Sequence, residues 1–311
     1  MSDQPRILVV GSINMDVVMR TAQMPAPGET VRGEGFSTLP GGKGANQAVA
    51  AARLGARCHM LGRVGDDAFG CALVDSMIAE GVNCDNVMIT EDAATGAAMI
   101  LVDNCGENAI VTSGGANRQV TPDDIFGQGE LFEQADVVLL QLELLLPTVR
   151  AAVDLARRHR CKVVLDPAPA PRPMPEELFQ VDILSPNAVE AEHITGKQAV
   201  EERADRQVAS ELVERGAGTA VLKLGPRGAI VVSCDGEIAR VRPYRVNIVD
   251  TTGAGDAFTG ALAVAVGQGK RLAEATKFAN AAGALTCTKL GAQLAIPTCD
   301  EVRILMQDQP Q

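Results

Sequence analysis

Short apolar runs recur along the chain at residues 7–10, 137–140, 162–165, 182–184, 220–224 and 229–232, and helix-like stretches separate them. Strand-length runs alternating with crossover-length segments read as βαβ units, which place parallel strands in one sheet under helices. Helices are expected over 44–54 with Gly55 to stop it, over 68–80 with Gly81 after it, and over 147–159. Two Ala-rich candidates, 255–266 and 272–290, come late. The fold class is therefore α/β with a mostly parallel central sheet between helical layers.

Two stretches interrupt this rhythm. Residues 17–38 carry Pro25, Pro27, Gly28, Gly33 and Gly35, and 97–112 turn around Asn104-Cys105-Gly106. Both look like hairpins or short strands outside the main sheet. They read equally as a pairing β lid or as two surface excursions. At 311 residues the chain accommodates one large α/β domain or two modest ones. No repeat, low-complexity tract or linker divides it.

The formal net charge of −11 argues against a nucleic-acid partner, because a phosphate backbone is gripped by clustered Lys and Arg. The run at 7–10 is too short for a signal segment and no long apolar run exists, so neither secretion nor membrane insertion is expected and the cytoplasm is the default. The eight cysteines form no Cys-x-x-Cys pair, and His59, His159 and His193 lie far apart. Reduced core thiols fit better than a disulfide frame or a zinc site.

In an open α/β sheet, ligands bind outside the carboxyl ends of the strands. The residues there are Asn14 and Asp16 after the first run, then Glu143, Asp166, Asn187 and Gly225 after later ones. The most informative segment is Asp250-Thr-Thr-Gly-Ala-Gly-Asp256-Ala-Phe-Thr-Gly260. A glycine-rich turn opening a helix gathers backbone N–H groups on an anion, and the helix dipole adds positive potential. An Asp just after the glycines can take the proton of an attacking hydroxyl, and phosphoryl transfer asks chiefly for positioning and charge stabilisation. An isolated Gly-x-Gly-Asp is more often an ordinary helix start; the extended pattern favours chemistry. It matches neither the Walker loop nor the dinucleotide fingerprint.

Gly41-Gly-Lys43-Gly-Ala-Asn46-Gln-Ala also precedes a helix; its glycines permit close approach to a small ligand, with Lys43 and Asn46 in reach of sugar oxygens, although a flexible turn reads as well. Asn187-Ala-Val-Glu190 is equally a capping box, and Gly65-Asp66-Asp67 is better read as a helix cap without chemistry.

Taken in order, Gly11-Ser-Ile-Asn14-Met-Asp16, Gly41 to Asn46, Gln141-Leu-Glu143, Ser185-Pro-Asn187 with Glu190, Leu224-Gly-Pro-Arg-Gly228 and Asp250 to Gly260 resemble the ribokinase branch of the PfkB-type carbohydrate kinases over nearly the whole chain. The resemblance implies a three-layer α/β/α ribokinase-like domain over 1–311 with a small β lid inserted from about 15–40 and 95–113. It also implies a homodimer joined through the lids. By residue, it places Asn14, Asp16, Gly42, Lys43, Asn46 and Glu143 around a sugar, Asp256 beside the reactive hydroxyl, and Gly253, Ala254 and Gly255 as the anion hole. For ATP it implies Asn187, Lys223, Gly225, Arg227, Gly228, Gly255 and Asn280, with Glu190 acting on Mg2+ through water. A potassium site is implied at Asp250, Thr252, Thr286, Lys289, Gly291 and Ala295, largely through backbone oxygens. Three positions depart from the family pattern. Met15 stands where a small residue is common, Ala295 where Ser is, and Lys223 where a small hydroxylic residue is; Lys223 is expected to meet ATP phosphate or face solvent.

Asn14 with Asp16 favours a sugar with vicinal hydroxyls, so ribose leads deoxyribose. A nucleoside substrate is disfavoured by the absence of Trp and the single Tyr244. A sensor without turnover has no use for Asp256, and a nicotinamide oxidoreductase lacks its glycine fingerprint after the first strand.

Overall fold

The computed structural model describes residues 4–311. The chain opens with β1 (Arg6–Val10), β2 (Asn14–Thr21), β3 (Gly33–Gly41), α1 (Lys43–Arg53), β4 (Arg57–Gly65), α2 (Ala68–Ala79), β5 (Asn83–Thr90), β6 (Gly96–Val102) and β7 (Asn108–Ser113). Next come α3 (Pro122–Phe126), α4 (Gly129–Gln134), β8 (Val137–Leu140), α5 (Leu146–Arg158), β9 (Lys162–Leu165), β10 (Ile183–Leu184), α6 (Ala188–Thr195), α7 (Glu202–Glu214) and β11 (Thr219–Lys223). It finishes with β12 (Ala229–Ser233), β13 (Ile238–Val241), α8 (Ala254–Gly267), α9 (Leu272–Thr286) and α10 (Cys299–Asp308).

Nine strands form the large sheet in the order β13-β12-β11-β10-β9-β8-β1-β4-β5. All its pairings are parallel except β11–β12 and β12–β13. The strand pleat divides the core. Ile7, Val9, Val137 and Leu139 face one apolar cluster with residues of α1, α8 and α9, while Leu8, Val10, Val138 and Leu140 face the other with residues of α5 and α7. Each such side chain contributes about 1.5–3 kcal/mol by leaving water, and covering both faces is what a parallel sheet requires.

The two interrupting stretches pair with each other. They form a second sheet, β3-β2-β6-β7, in which β2 runs antiparallel to β3 and parallel to β6. Three large-sheet strands, β4, β5 and β13, lie outside the apolar runs read from the sequence, because Arg57, His59, Arg63, Asn83 and Arg240 break their apolar character. The last long helix also stops at Thr286 rather than 290; residues 287–290 instead lead to Gly291, whose φ of 86° turns the chain. No cysteine is in a disulfide; Cys58, Cys84 and Cys161 are buried, but Cys71, Cys105 and Cys234 are exposed, so only part of the set is core. Among the described residues no helix is long and apolar enough to cross a membrane.

Candidate active site

The two glycine turns seen in the sequence open α1 and α8, and these helices pack together in one core. Gly42 caps α1 with φ 88° and Gly253 caps α8 with φ 74°, a region that a side chain disfavours. Neither helix start has a side-chain cap. At α8 this leaves first-turn amides, those of Gly255 and Asp256, oriented for an anion. At α1 the carboxylate of Glu143 takes the place of an anion: it accepts from Lys43 N at 3.2 Å and from the Ser12 hydroxyl.

Asp256 is buried in the first turn of α8. Two amides of α1 hold its carboxylate: Asn46 Nδ2 donates to Oδ2 at 2.8 Å and Gln47 Nε2 donates to Oδ1 at 3.1 Å. Gln47 also donates to Asp166 Oδ2 at 2.9 Å. Its orientation is fixed from behind, because Gln141 Nε2 donates to Gln47 Oε1 at 2.7 Å. Asp166 in turn pairs with Lys223, Nζ to Oδ1 at 2.9 Å, and Lys223 also donates to Thr259 Oγ1 at 3.2 Å. A continuous polar chain thus runs from Lys223 through Asp166 and Gln47 to Asp256.

The charges of this cluster act on one another. Asp256, followed by Asp166, Glu143 and Glu190, pushes the Lys43 ammonium pKa well above its usual value despite burial, which keeps it a cation. Burial, then the charges of Glu143 and Asp256, raise Asp16 from 3.8 to about 6. Burial also raises Glu190, with Lys223 opposing and Asp166 reinforcing that shift.

Beside the α8 mouth, a cavity of about 240 Å³ is lined by Lys223, Gly225, Gly228, Ala254, Gly255 and Asn280, together with the apolar Tyr244, Phe258 and others. Six expected nucleotide or anion-hole positions therefore meet there. Asn187 and Glu190 form the capping box of α6, with Asn187 Oδ1 accepting from Glu190 N at 2.8 Å. Arg227 goes elsewhere: its guanidinium reaches Asp205 Oδ2 at 2.7 Å and the Ala199 carbonyl, outside the lining of this cavity. Lys223 is buried rather than solvent-facing, while its side chain still lines this cavity. It is paired with Asp166 at the carboxyl ends of β9 and β11.

A wider opening of about 900 Å³ lies between the small sheet and the late loops, lined by Asp16, Val18, Leu39, Ile100, Asp250, Thr252, Gly291 and others. Asp250 accepts from Thr252 N at 2.9 Å, Thr252 Oγ1 at 2.7 Å and Gly291 N at 2.9 Å. Burial works against its charge, yet these bonds outweigh it and hold the carboxyl below the usual range. Thr286 Oγ1 donates to the Ala282 carbonyl, Lys289 Nζ pairs with Glu301 on the surface, and Ala295 sits buried in a short turn. Lys289 and Ala295 could thus ligate a cation only through backbone carbonyls, whereas the Thr286 hydroxyl oxygen keeps lone pairs of its own. Among the described residues no group of three or more His, Cys, Asp or Glu side chains is set to hold a metal. A divalent ion would fit here as one shared with nucleotide phosphates.

Ser12, Gln47, Asn117 and Gln141 were not singled out in the sequence, although Ser12, Gln47 and Gln141 fall inside or beside the motifs. Asp166 was noted as a strand-end residue without a role.

Residues 4–299 match the pfkB family of carbohydrate kinases. The chain belongs to that family. It is 40% identical over 306 residues to the ribokinase of Schizosaccharomyces pombe, covering 95% of this chain and 96% of that one. It is 38% identical over 295 residues to the ribokinase of Haemophilus influenzae, with the same coverage. The Arabidopsis thaliana ribokinase structure, solved with ribose and ATP, superposes at a TM-score of 0.92 with 32% identity, covering 98% of this chain and 99% of that one. The three-layer fold with its small second sheet is therefore that of the ribokinases.

Proposed function

We propose that the protein transfers the γ-phosphoryl group of ATP to O5 of D-ribose. The observation that carries this reading is the placement of Asp256: an ionisable carboxylate, held by two α1 amides, at the amide-lined start of α8. In the reaction, O5 forms a bond to the γ-phosphorus as the bond to the ADP oxygen breaks, and the hydroxyl proton passes to Asp256. The Gly253-Ala254-Gly255 turn presents the open amides of Gly255 and Asp256 to the charge that develops on the transferring group, with the Ala254 amide held by the Thr251 carbonyl. Asn14, Asp16, Gly42, Lys43, Asn46 and Glu143 hold the sugar. Asn46 Oδ1 is buried without a partner, an acceptor that a sugar hydroxyl would satisfy.

The adenine and ribose of ATP occupy the cavity bounded by Gly225, Gly228 and Asn280, with Asn187 at its edge. Arg227 supports the loop rather than the nucleotide. Glu190 would act on Mg2+ through water, and the ion would supply charge neutralisation on the phosphates. Asp250, Thr252 and the neighbouring carbonyls would hold K+, which would reinforce the electropositive side of the α8 mouth. The small sheet acts as a lid on a single kinase unit, and its exposed Phe36, Met99, Ile110 and Val111 support a lid-to-lid homodimer in the cytoplasm.

The test is Asp256→Asn. Calorimetric ribose binding should persist while turnover falls roughly 10²–10⁴-fold, the usual contribution of a positioned base. Turnover within a few-fold of wild type would reject the assignment. ADP release across ribose, deoxyribose, fructose, nucleosides and sugar acids checks the sugar.

A further inference from the structure

We infer that Asn117 is a positioning residue that fixes which end of the Asn14 amide meets the sugar. This rests on the assignment of Asn14 to the sugar made above. Asn117 lies in the single turn Gly115–Gln119 that follows β7 and is 1% exposed. Its Oδ1 accepts from Ile13 N at 2.9 Å, and its Nδ2 donates to the Ile13 carbonyl at 3.1 Å and to Asn14 Oδ1 at 2.7 Å.

The peptide groups of Ile13 remove the usual ambiguity of an amide side chain. A backbone N–H can only donate and a backbone C=O can only accept, so Asn117 has a single consistent orientation. Its nitrogen must then face Asn14, and Asn14 must answer with oxygen. Asn14 Nδ2 is left over, with no protein partner among the described residues, and Asn14 lines a cavity of about 330 Å³ together with Ser12, Asn117 and Glu143.

Gly96 shows how closely this junction is built. A Cβ there would collide with both Asn117 Nδ2 and Asn14 Oδ1. The strand register brings Gly96 directly opposite Asn14, so the absence of a side chain lets the two amides meet across β2 and β6.

The chemical consequence concerns specificity. Asn14 offers the ligand hydrogen-bond donors only, whereas the Glu143 carboxylate lining the same cavity offers acceptors only. A hydroxyl satisfies both kinds at once, by accepting from Asn14 and donating to the carboxylate. An ether or carbonyl oxygen satisfies only Asn14, and a deoxy position satisfies neither.

A double-mutant cycle tests this, with Asn117→Asp, Asn14→Ala and the combination measured for ribose binding and for steady-state kinetics in both substrates. An aspartate at 117 still accepts from Ile13 N but can donate to neither Ile13 O nor Asn14 Oδ1. The Asn14 amide should turn over, and the ribose KM should rise roughly tenfold to hundredfold, the range for a buried polar group set against the wrong partner. The ATP KM and the kcat at saturating ribose should stay within about twofold, a split that general loosening of the fold would not give. In the Asn14→Ala background, Asn117→Asp should add less than about threefold. Equal effects in both backgrounds would overturn the inference, since Asn117 would then act without Asn14.

Should Asn117→Asp fail to fold, Asn14→Asp decides the matter. That variant keeps an oxygen for Asn117 Nδ2 but presents only acceptors to the sugar, so it should lose ribose affinity as Asn14→Ala does; wild-type affinity would refute the donor role. Wild-type protein that neither binds nor phosphorylates ribose would instead overturn the ribose reading and this inference with it. An active wild type with an additive cycle overturns the Asn117 role alone.

Discussion

Replacing Lys223 with Met should cost stability out of proportion to the one ion pair it removes. Asp166 is 2% exposed and the Lys223 side chain 10%, with Nζ 2.9 Å from Oδ1. Deleting one member of such a pair leaves a buried charge uncompensated, which typically costs 3–5 kcal/mol. Asp166 keeps donors in Gln47 Nε2 at 2.9 Å and Thr259 Oγ1 at 3.2 Å, so the lower end, about 3 kcal/mol, applies. With an unfolding entropy near 2.1 cal/mol/K per residue, a chain of 311 residues loses roughly 1.5 °C per kcal/mol, and the expected fall in Tm is about 5 °C. Neutralising the stranded acid should undo it: Lys223→Met with Asp166→Asn should recover most of the loss, because an isosteric neutral pair no longer buries a charge. Scanning calorimetry on the three variants reads this out. A single variant that melts within about 1 °C of wild type, or a double variant no more stable than the single, would refute the reasoning.

Other consequences follow from the same geometry. Asp16, with a folded pKa near 6 against 3.8, favours its protonated form in the fold; its stabilising contribution is present below pH 3.8 and is lost as pH rises through 6. Ribose binding that uses the carboxylate as acceptor runs the other way, so the ribose KM should fall between pH 5 and 7 and flatten in Asp16→Asn. Arg227→Ala should raise the ATP KM a few-fold while costing about 1–2 kcal/mol of stability, since Asp205 retains Arg240 at 2.6 Å; Arg227→Lys should restore part of both, and an unchanged ATP KM would detach the loop from the nucleotide. Turnover should be higher in potassium than in a large organic cation, and equal rates would count against a cation at Asp250.

The parts of the site that could be read from the chain are those whose chemistry is local. Gly253 must reach φ 74° and Asp256 follows it by three residues, so turn, helix start and base lie in one short stretch. The capping box at Asn187 and Glu190 is local in the same sense. Gln47 is different. It meets Asp166 and Asp256 across 119 and 209 residues of sequence, and no spacing along the chain signals such a contact. Lys223 shows the same limit, because its partner depends on β9 and β11 ending at the same edge of the sheet, on either side of the short β10. In the fold, buried strands such as β8 announced themselves as unbroken apolar runs, whereas β4 carries Arg57, His59 and Arg63. One of these, Arg63, pairs with Asp124 at 2.6 Å, and the pairing lets a charged residue occupy a strand next to the buried β1.

The polar chain from Lys223 to Asp256 also bears on why the base sits on α8 while its hydrogen-bond donors sit on α1. If Asp256 were held only by groups of its own helix, its carboxylate would follow any shift of α8 when an anion binds at that helix mouth. Held instead by Asn46 and Gln47, it is referenced to α1, whose start also carries Gly42, Lys43 and the Glu143 contact. The sugar side and the base therefore share one rigid element, and the nucleotide side is joined to them by Gln47 through Asp166. Precise alignment of a hydroxyl with a phosphorus depends on that shared reference, because phosphoryl transfer draws its rate mainly from positioning. Gln47→Leu, which cuts the link while leaving Asn46 on the carboxylate, should accordingly lower kcat more than either KM, and a loss confined to the KM values would show that the alignment comes from elsewhere.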